Sequence, residues 1–326
     1  MTATRIGIIG AAQIVRKGLL LPASKVCGVT VTAVAARDPA RARAYAAKHG
    51  IPRVHDSYEA LLADPDIDAV YVPAPAALHA RWTMAVINAG KHALVEKPFA
   101  ANATEAEQVA AVAAGSTRVV MEAYHTGHHP LTARLREILA SGAVGRVLSA
   151  RATFYVPIPP GRNIRWNLTL GGGCLLDVGY YPVRLLRELF GEATVAYADA
   201  REQNGLDRYM EAELTFPDGV RGTVISSMWT RHLFGSSLQI EGEKGRMGVS
   251  WPYHPHVAAW IKVRAEGRTH KERADRTATY TYQLRAFREA ILNHGPVITD
   301  AAAAVRQMQM LDAIYLASGM QPRCPS

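Results

Sequence analysis

Between Arg5 and Met121 the chain switches back and forth between two periodicities, and no other feature constrains its fold as much. Five short apolar or β-branched runs recur: Arg5–Gly10, Thr30–Ala35, Ala69–Pro73, His92–Val95 and Arg118–Met121. Alanine-rich, charged stretches of helical character lie between them, at Pro39–His49, Tyr58–Ala63, Ala80–Ala89 and Thr104–Ala114. Strand–helix–strand alternation with short connections builds a parallel sheet carrying helices on both faces. Runs that are apolar throughout, rather than at every second residue, fit strands buried on both sides. Asp64-Pro65 and Ala89-Gly90 stop the helices that precede them. The pattern predicts a doubly wound α/β domain over residues 1–124, with the loops at its strand ends placed to bind a dinucleotide.

After Tyr124 the rhythm changes. A helix is expected from about Pro130 to Ser141, then a strand over Arg146–Tyr155 and a Pro/Gly/Arg loop over residues 156–165. A second helix follows the Gly171–Gly173 run and reaches Phe190. Extended runs at Tyr209–Phe216 and Val220–Trp229 flank Pro217-Asp218-Gly219, a turn in which proline presets φ and glycine accepts a positive one. Ser237–Glu241 is also extended, and helices near Tyr282–Leu292 and Ala301–Ala317 follow. Residues 125–326 therefore read as an α+β domain with a largely antiparallel open sheet, whose face offers a natural dimer surface, and helices on one side.

Composition narrows the function. Thirty-seven Lys and Arg against 28 Asp and Glu give a net charge of +9 over 326 residues, but the excess is spread along the chain. No run of five or six like charges occurs, and no basic helix carries interleaved aromatics, so a nucleic-acid partner is not expected. Cys27, Cys174 and Cys324 lie far apart, which excludes a disulfide scaffold and a zinc-finger layout and fits a reducing compartment. No stretch approaches the ~18 apolar residues of a membrane span, and strand-like sequence by Arg5 leaves no room for a signal peptide. The expectation is a cytoplasmic protein without a membrane partner. His125, His128 and His129 cluster, yet no carboxylate or cysteine stands at ligand spacing, so no metal is expected.

Four motifs carry chemistry. The first strand runs into Gly10-Ala11-Ala12-Gln13-Ile14-Val15. A dinucleotide loop wants G-x-G-x-x-G/A at this place, and only Gly10 is kept, but the position at a strand-to-helix turn still offers amides to a pyrophosphate. After the second strand, where an NAD site usually carries an acidic residue, the chain has Ala36-Arg37. A guanidinium there can pair with a 2′-phosphate, so NADP is expected and NAD less so. The alternative is a solvated Arg37 beside a helix cap at Asp38. Glu96-Lys97-Pro98 ends the strand begun at His92, on the edge where ligands of open α/β sheets bind; a surface ion pair would be the bland reading. The fourth motif is Gly171-Gly172-Gly173-Cys174-Leu175-Leu176-Asp177-Val178-Gly179-Tyr180-Tyr181. Asp177 and Tyr181 are four apart and share a helix face. Tyr181 could carry a proton and Asp177 could orient a hydroxyl; a helix-start carboxylate beside a half-buried tyrosine is the structural alternative.

Taken in order, IGIIGAAQI, VPAPAALH at 72–79, EKP at 96–98 and GGGCLLDVGYY at 171–181 resemble the glucose–fructose oxidoreductase / inositol dehydrogenase (Gfo/Idh/MocA) family across nearly the whole chain. The GAA loop, the arginine after the second strand, Met121-Glu122-Ala123 and a tyrosine at 181 are most similar to the branch of dimeric dihydrodiol dehydrogenase and NADP-dependent xylose dehydrogenase. The resemblance implies a catalytic group of Lys97, Asp177 and Tyr181, with Tyr181 as acid/base. It implies cofactor contacts along Gly10, Ala12, Gln13, Ile14, Arg37, Pro73, His79, Glu96 and Lys97. It also implies a cleft active site fed by both domains, and a homodimer or homotetramer. Ala76 and Thr126-Gly127 depart from the family pattern. Arg165 and Trp166, in the loop before the glycines, are the expected contacts to a small-molecule substrate. The expected reaction is NADP-dependent hydride transfer at a secondary alcohol or ketone of a sugar-like or cyclic diol substrate. The alternatives are a ketoreductase for a nucleotide-linked deoxysugar, redox-assisted glycoside cleavage, and a non-catalytic NADP-binding sensor.

Overall fold

The structure is a computed structural model that describes residues 3–231 and 233–324. The chain divides into two compact units. One holds the residues up to 128 together with 280–306, the other residues 129–279 together with those from 307 on.

The first unit is built on six strands, β1 Thr4–Ile9, β2 Val29–Ala35, β3 Arg53–His55, β4 Ala69–Val72, β5 His92–Glu96 and β6 Val120–Ala123. They lie in the order β3-β2-β1-β4-β5-β6, every pair parallel. This is the doubly wound dinucleotide-binding order, with its reversal between β1 and β4. Ile6, Ile8, Val70, Val72, Leu94 and Val95 are fully buried, which is why these strands show no polar alternation. Helix Pro39–His49 starts where the sequence places it because the Asp38 carboxylate accepts the Ala40 amide at 2.9 Å, and it stops at left-handed Gly50, φ 67°. Ser57 and Asn102 cap helices Tyr58–Ala63 and Ala103–Ala114 in the same way.

Two elements of this unit were not anticipated. β3 is three half-buried residues, too short to show a period. The π-helical turn Arg16–Leu20 crosses Gly18, whose missing side chain leaves room for the Tyr71 hydroxyl; a Cβ there would stand 2.5 Å from it. Residues 280–306 also return to this unit, whereas the sequence reading gave everything after 124 to the second. Leu284 and Phe287 of helix Thr279–Asn293, one turn apart, join the core of Ile8, Tyr71 and Leu94.

The second unit holds eight strands: β7 Val147–Tyr155, β8 Thr194–Gln203, β9 Leu206–Thr215, β10 Arg221–Ser227, β11 Gly235–Gly242, β12 Gly245–Ser250, β13 Trp260–Ala265 and β14 Arg268–Arg273. Their order is β14-β13-β12-β11-β7-β10-β9-β8, and only β7 and β10 pair in parallel. Ala150, Ala152, Leu238, Ile240, Met247, Val249, Ile261 and Val263 bury one face, and the residues between them form the open face. The parallel and antiparallel sheets are those the sequence leads one to expect. Four strands, β8 and β12 to β14, escaped it; β14 is polar throughout, and five of its six residues are exposed. Among the described residues no helix is long and apolar enough to cross a membrane.

Candidate active site

The carboxyl ends of β1, β2, β4 and β5 gather the expected cofactor residues on one edge of the first unit. Gly10 leaves β1 at φ 108°, a value that favours glycine, and its amide donates to Ala35 O at 2.8 Å. The amides of Ala11, Ala12 and Gln13 donate to no described residue, so the turn presents open donors of the kind a pyrophosphate takes. Ile14 begins the helical segment that follows and is half-buried. Arg41 and Tyr45, which the sequence reading passed over, hold the loop from behind. The Arg41 guanidinium donates to Ala11 O at 2.9 Å and the Tyr45 hydroxyl to Ala12 O at 3.3 Å. Their spacing of four on helix Pro39–His49 was the available signal. Arg37 follows β2 and is exposed, while Asp38 is committed to its cap.

The Glu96-Lys97-Pro98 turn is braced from three sides, and its Lys97–Pro98 bond is cis. Tyr71, fully buried on the neighbouring β4, donates to Glu96 Oε1 at 2.5 Å. Glu122, fully buried on β6, accepts the Phe99 amide at 2.9 Å. His79 is 1% exposed, and its ring nitrogens lie 2.6 Å from Ala74 O and 2.6 Å from Pro98 O. Burial lowers its pKa, and a neutral ring donates to one of those carbonyls at a time. His79 thus ties the loop that follows buried Pro73 to the turn that carries Lys97. Lys97 itself is half-buried. Glu122 had a signal in Met121-Glu122-Ala123; Tyr71, one apolar residue in an apolar strand, had none.

The second unit holds the other expected residues. Asp177 sits in a π-helical turn, Leu175–Gly179, that runs directly into helix Tyr180–Phe190. The spacing predicts a plain α-helix. The structure inserts the wider turn, and Gly179 has no space for a side chain, since a Cβ would stand 2.8 Å from Ser226 Oγ. Arg165 Nε donates to Asp177 Oδ2, so an expected substrate contact and an expected catalytic carboxylate form one ion pair. Trp166 donates its indole N–H to Ile158 O at 3.1 Å and is half-buried. Tyr181 is 6% exposed in an aromatic surround, its ring 5.7 Å from that of Phe154 and edge-on to it, 6.0 Å from Tyr253 and 6.3 Å from His254. None of these three neighbours was legible in advance, because β7 and the segment before β13 come together only in the fold.

The three histidines have other work. His129 caps helix Pro130–Ala140 by accepting the Leu131 amide at 3.1 Å, His128 lies 3.2 Å from Thr299 Oγ1, and His125 stacks on Tyr280. Gly172 and Gly173 serve packing of the chain on itself. A Cβ on Gly172 would stand 2.6 Å from Arg165 O.

A family model described as an oxidoreductase family with an NAD-binding Rossmann fold matches residues 4–124, and one described as the GFO/IDH/MocA C-terminal domain matches residues 132–248. The chain belongs to the GFO/IDH/MocA oxidoreductase family. A D-xylose 1-dehydrogenase (NADP(+)) of Haloferax volcanii is 35% identical over 312 residues, covering 95% of each chain. A trans-1,2-dihydrobenzene-1,2-diol dehydrogenase of Oryctolagus cuniculus is 34% identical over 219 residues, 66% of this chain and 65% of that one. Among solved structures, a 3-ketoreductase from Actinomadura kijaniata in complex with NADP and TDP-benzene superposes with a TM-score of 0.90 at 29% identity, over 97% of this chain and 98% of that one. The family and the branch expected from the motifs are those found.

Proposed function

We propose that this protein is an NADP-dependent oxidoreductase that moves a hydride between nicotinamide and a secondary alcohol or ketone of a sugar-like or cyclic diol substrate. The carrying observation is the braced Glu96-Lys97-Pro98 turn on the ligand edge of a Rossmann sheet whose second strand ends in Arg37 rather than an acid. The named relatives, an NADP(+)-dependent dehydrogenase and a reductase bound to NADP, support the same cofactor. When bound, the nicotinamide supplies or accepts the hydride. The amides after Gly10 would hold the pyrophosphate, Arg37 would take the 2′-phosphate, and Glu96 and Lys97 would serve the nicotinamide ribose. In oxidation Tyr181, acting as its phenolate, accepts the hydroxyl proton, and the Lys97 ammonium stabilises the oxyanion that develops. Asp177, steadied by Arg165, orients the substrate hydroxyl, and Trp166 offers a flat face to a ring. A second reading, reduction of a nucleotide-linked keto-deoxysugar, is favoured by the likeness to the TDP-bound ketoreductase.

The test is absorbance of NADPH at its reduced-nicotinamide band, with free sugars such as D-xylose, cyclic diols and nucleotide-linked ketosugars, run with both cofactors. Turnover of the free compounds with NADP(H) supports the main reading. A preference of a hundredfold or more for the nucleotide-linked sugar moves the assignment to the second, and cofactor binding without any turnover leaves only a sensor.

The reading extends to a cytoplasmic homo-oligomer joined through the open sheet face of the second unit. That face is split by charge. Arg246 opposes Arg264 and Lys262 opposes Lys271 on β12 to β14, while Asp199 opposes Glu211 on β8 and β9 beside Glu213. Like charges directly opposed destabilise a sheet; burial and then these basic neighbours lower the Lys262 pKa. A twofold axis parallel to the strands lays the basic end of one copy over the acidic end of another. Sedimentation should show a dimer that Lys262→Glu/Lys271→Glu breaks and that mixing with Glu211→Lys/Glu213→Lys restores as a mixed pair. A monomer, or a dimer indifferent to these changes, contradicts it.

A further inference from the structure

The helix carrying Asp177 and Tyr181 is anchored by a buried charged cluster that the reaction just proposed does not use. Asp207, at the start of β9, is fully buried and Arg323 is 4% exposed. The Asp207 carboxylate accepts the Leu175 amide at 2.6 Å, the Tyr315 hydroxyl at 3.0 Å and a guanidinium N–H of Arg323. Arg323 also donates to Gly172 O at 2.8 Å and to Gly205 O at 3.3 Å, and its guanidinium lies 4.5 Å from the Tyr315 ring centroid. The cluster fills the space that Gly173 leaves open, since a Cβ on Gly173 would overlap Asp207 and stand 2.6 Å from Arg323 Nη2. Gly173, at φ 134°, admits no ordinary side chain in any case.

The consequences run outward to the site. The Gly172 and Gly173 amides donate to Asn167 O at 2.9 Å and Arg165 O at 3.0 Å, strapping the Arg165 loop to the glycine run. Arg165 in turn grips Asp177. Two routes therefore lead from Asp207 and Arg323 to the reacting side chains. One passes through Leu175 into the π-helical turn, and the other passes through Gly172–Gly173 and Arg165 to Asp177.

We propose that Asp207 and Arg323 are positioning residues for hydride transfer, holding the glycine run and the first amide of the π-helical turn so that Asp177 and Tyr181 stand correctly. The proposal rests on the hydride-transfer reading above. The groups facing Asp207 are Arg323, Tyr315 and Cys174. Burial raises the Asp207 pKa to about 6, against the opposing pull of Arg323, the Leu175 amide and Tyr315. A carboxyl raised above its unfolded value, about 3.9, adds stability below that value and loses it as pH rises through about 6. Positioning has the opposite sign, because the ionised carboxylate is the better acceptor for the Leu175 amide and the partner of Arg323. From pH 7 to pH 5 turnover should fall while this group's contribution to stability rises, a divergence that a purely structural role does not produce.

The test compares wild type, Asp207→Asn, Arg323→Ala and Arg323→Lys on three readouts. These are hydrogen exchange of amides 174–179, the affinity for NADPH, and the pH profile of kcat on the fastest substrate of the panel above. Asp207→Asn should exchange those amides at least tenfold faster and lower kcat by ~10²-fold, the size of a small misplacement. Its KM for NADPH should stay within twofold and its acid limb near pH 6 should vanish. Arg323→Ala should move that limb upward in pH, and Arg323→Lys should recover part of the loss. The proposal is overturned if Asp207→Asn keeps wild-type kcat and acid limb, or if exchange rises evenly across the second unit. A failed substrate panel, by contrast, bears on the hydride-transfer reading alone, and the exchange data still decide this one.

Discussion

The Glu96-Lys97-Pro98 turn and the glycine run with its π-helical turn are both held rigidly, but by different kinds of neighbour. The first is braced by Tyr71, His79 and Glu122, all within 25 positions of the residues they hold; Tyr71 and Glu122 lie on the strands either side of β5 and His79 begins the helix that follows β4. The second is held by Asp207 at 32 positions and by Arg323 at 151 positions, through charge buried in the second unit. Short-range neutral and singly charged contacts suit a surface that must be ready for a cofactor. A long-range charged cluster ties the glycine run and the turn that carries Asp177 to a distant part of the chain.

The comparison breaks most clearly at Tyr181. Tyr181→Phe keeps the ring among Phe154, Tyr253 and His254, so NADPH affinity measured by fluorescence should hold while turnover falls by roughly 10²–10⁴-fold. Lys97→Ala should lower turnover as well, and under the proposed mechanism the double variant should fall short of the product of the two losses. If Asp177→Asn abolishes turnover and Tyr181→Phe does not, the proton belongs to Asp177.

A smaller effect is expected on the cofactor side. Arg37→Ala should weaken NADP but not NAD, by about 1.5–3 kcal/mol for a charge-assisted contact, read by titrating both. Equal losses for the two cofactors would mean that Arg37 does not recognise the 2′-phosphate.

The smallest effect separates stability from chemistry in the first unit. His92 accepts the Val119 amide at 2.9 Å on Nδ1, and burial, then Arg118, lowers its pKa to about 4. A histidine pKa depressed in the fold contributes stability above its unfolded value, about 6.5, which is lost as pH falls toward 4. Thermal melts should show a loss on the order of 1–2 kcal/mol between those limits after allowance for solvent screening. His92→Gln should flatten it without an effect on the pH profile of kcat.

How far the sequence could be read follows the same division. The parallel sheet, its helix caps and the ligand edge were legible because apolar strands and capping residues leave local patterns: helices Pro39–His49 and Tyr58–Ala63 start and stop at their caps. Lys97, Asp177 and Tyr181 were legible as motifs. The bracing by Tyr71 was not, because one buried tyrosine in an apolar strand looks like any core residue. Nor was the Asp207–Arg323 pair, whose members are 116 positions apart and carry no spacing signal. The strands β12 to β14 were hidden by charge on their open face; helix Thr279–Asn293 was expected, but only contacts reveal which core it joins.

The most direct test of the account is isotopic. NADPH carrying deuterium at both C4 positions of the nicotinamide is incubated with the protein and either the nucleotide-linked ketosugars or the ketones that oxidation of the free sugars and cyclic diols would give, and products are analysed by mass spectrometry and NMR. Hydride transfer predicts one deuterium on the new carbinol carbon of the reduced product, formed at least a hundredfold more slowly by Tyr181→Phe. NADPH that binds while every product remains free of deuterium would contradict it.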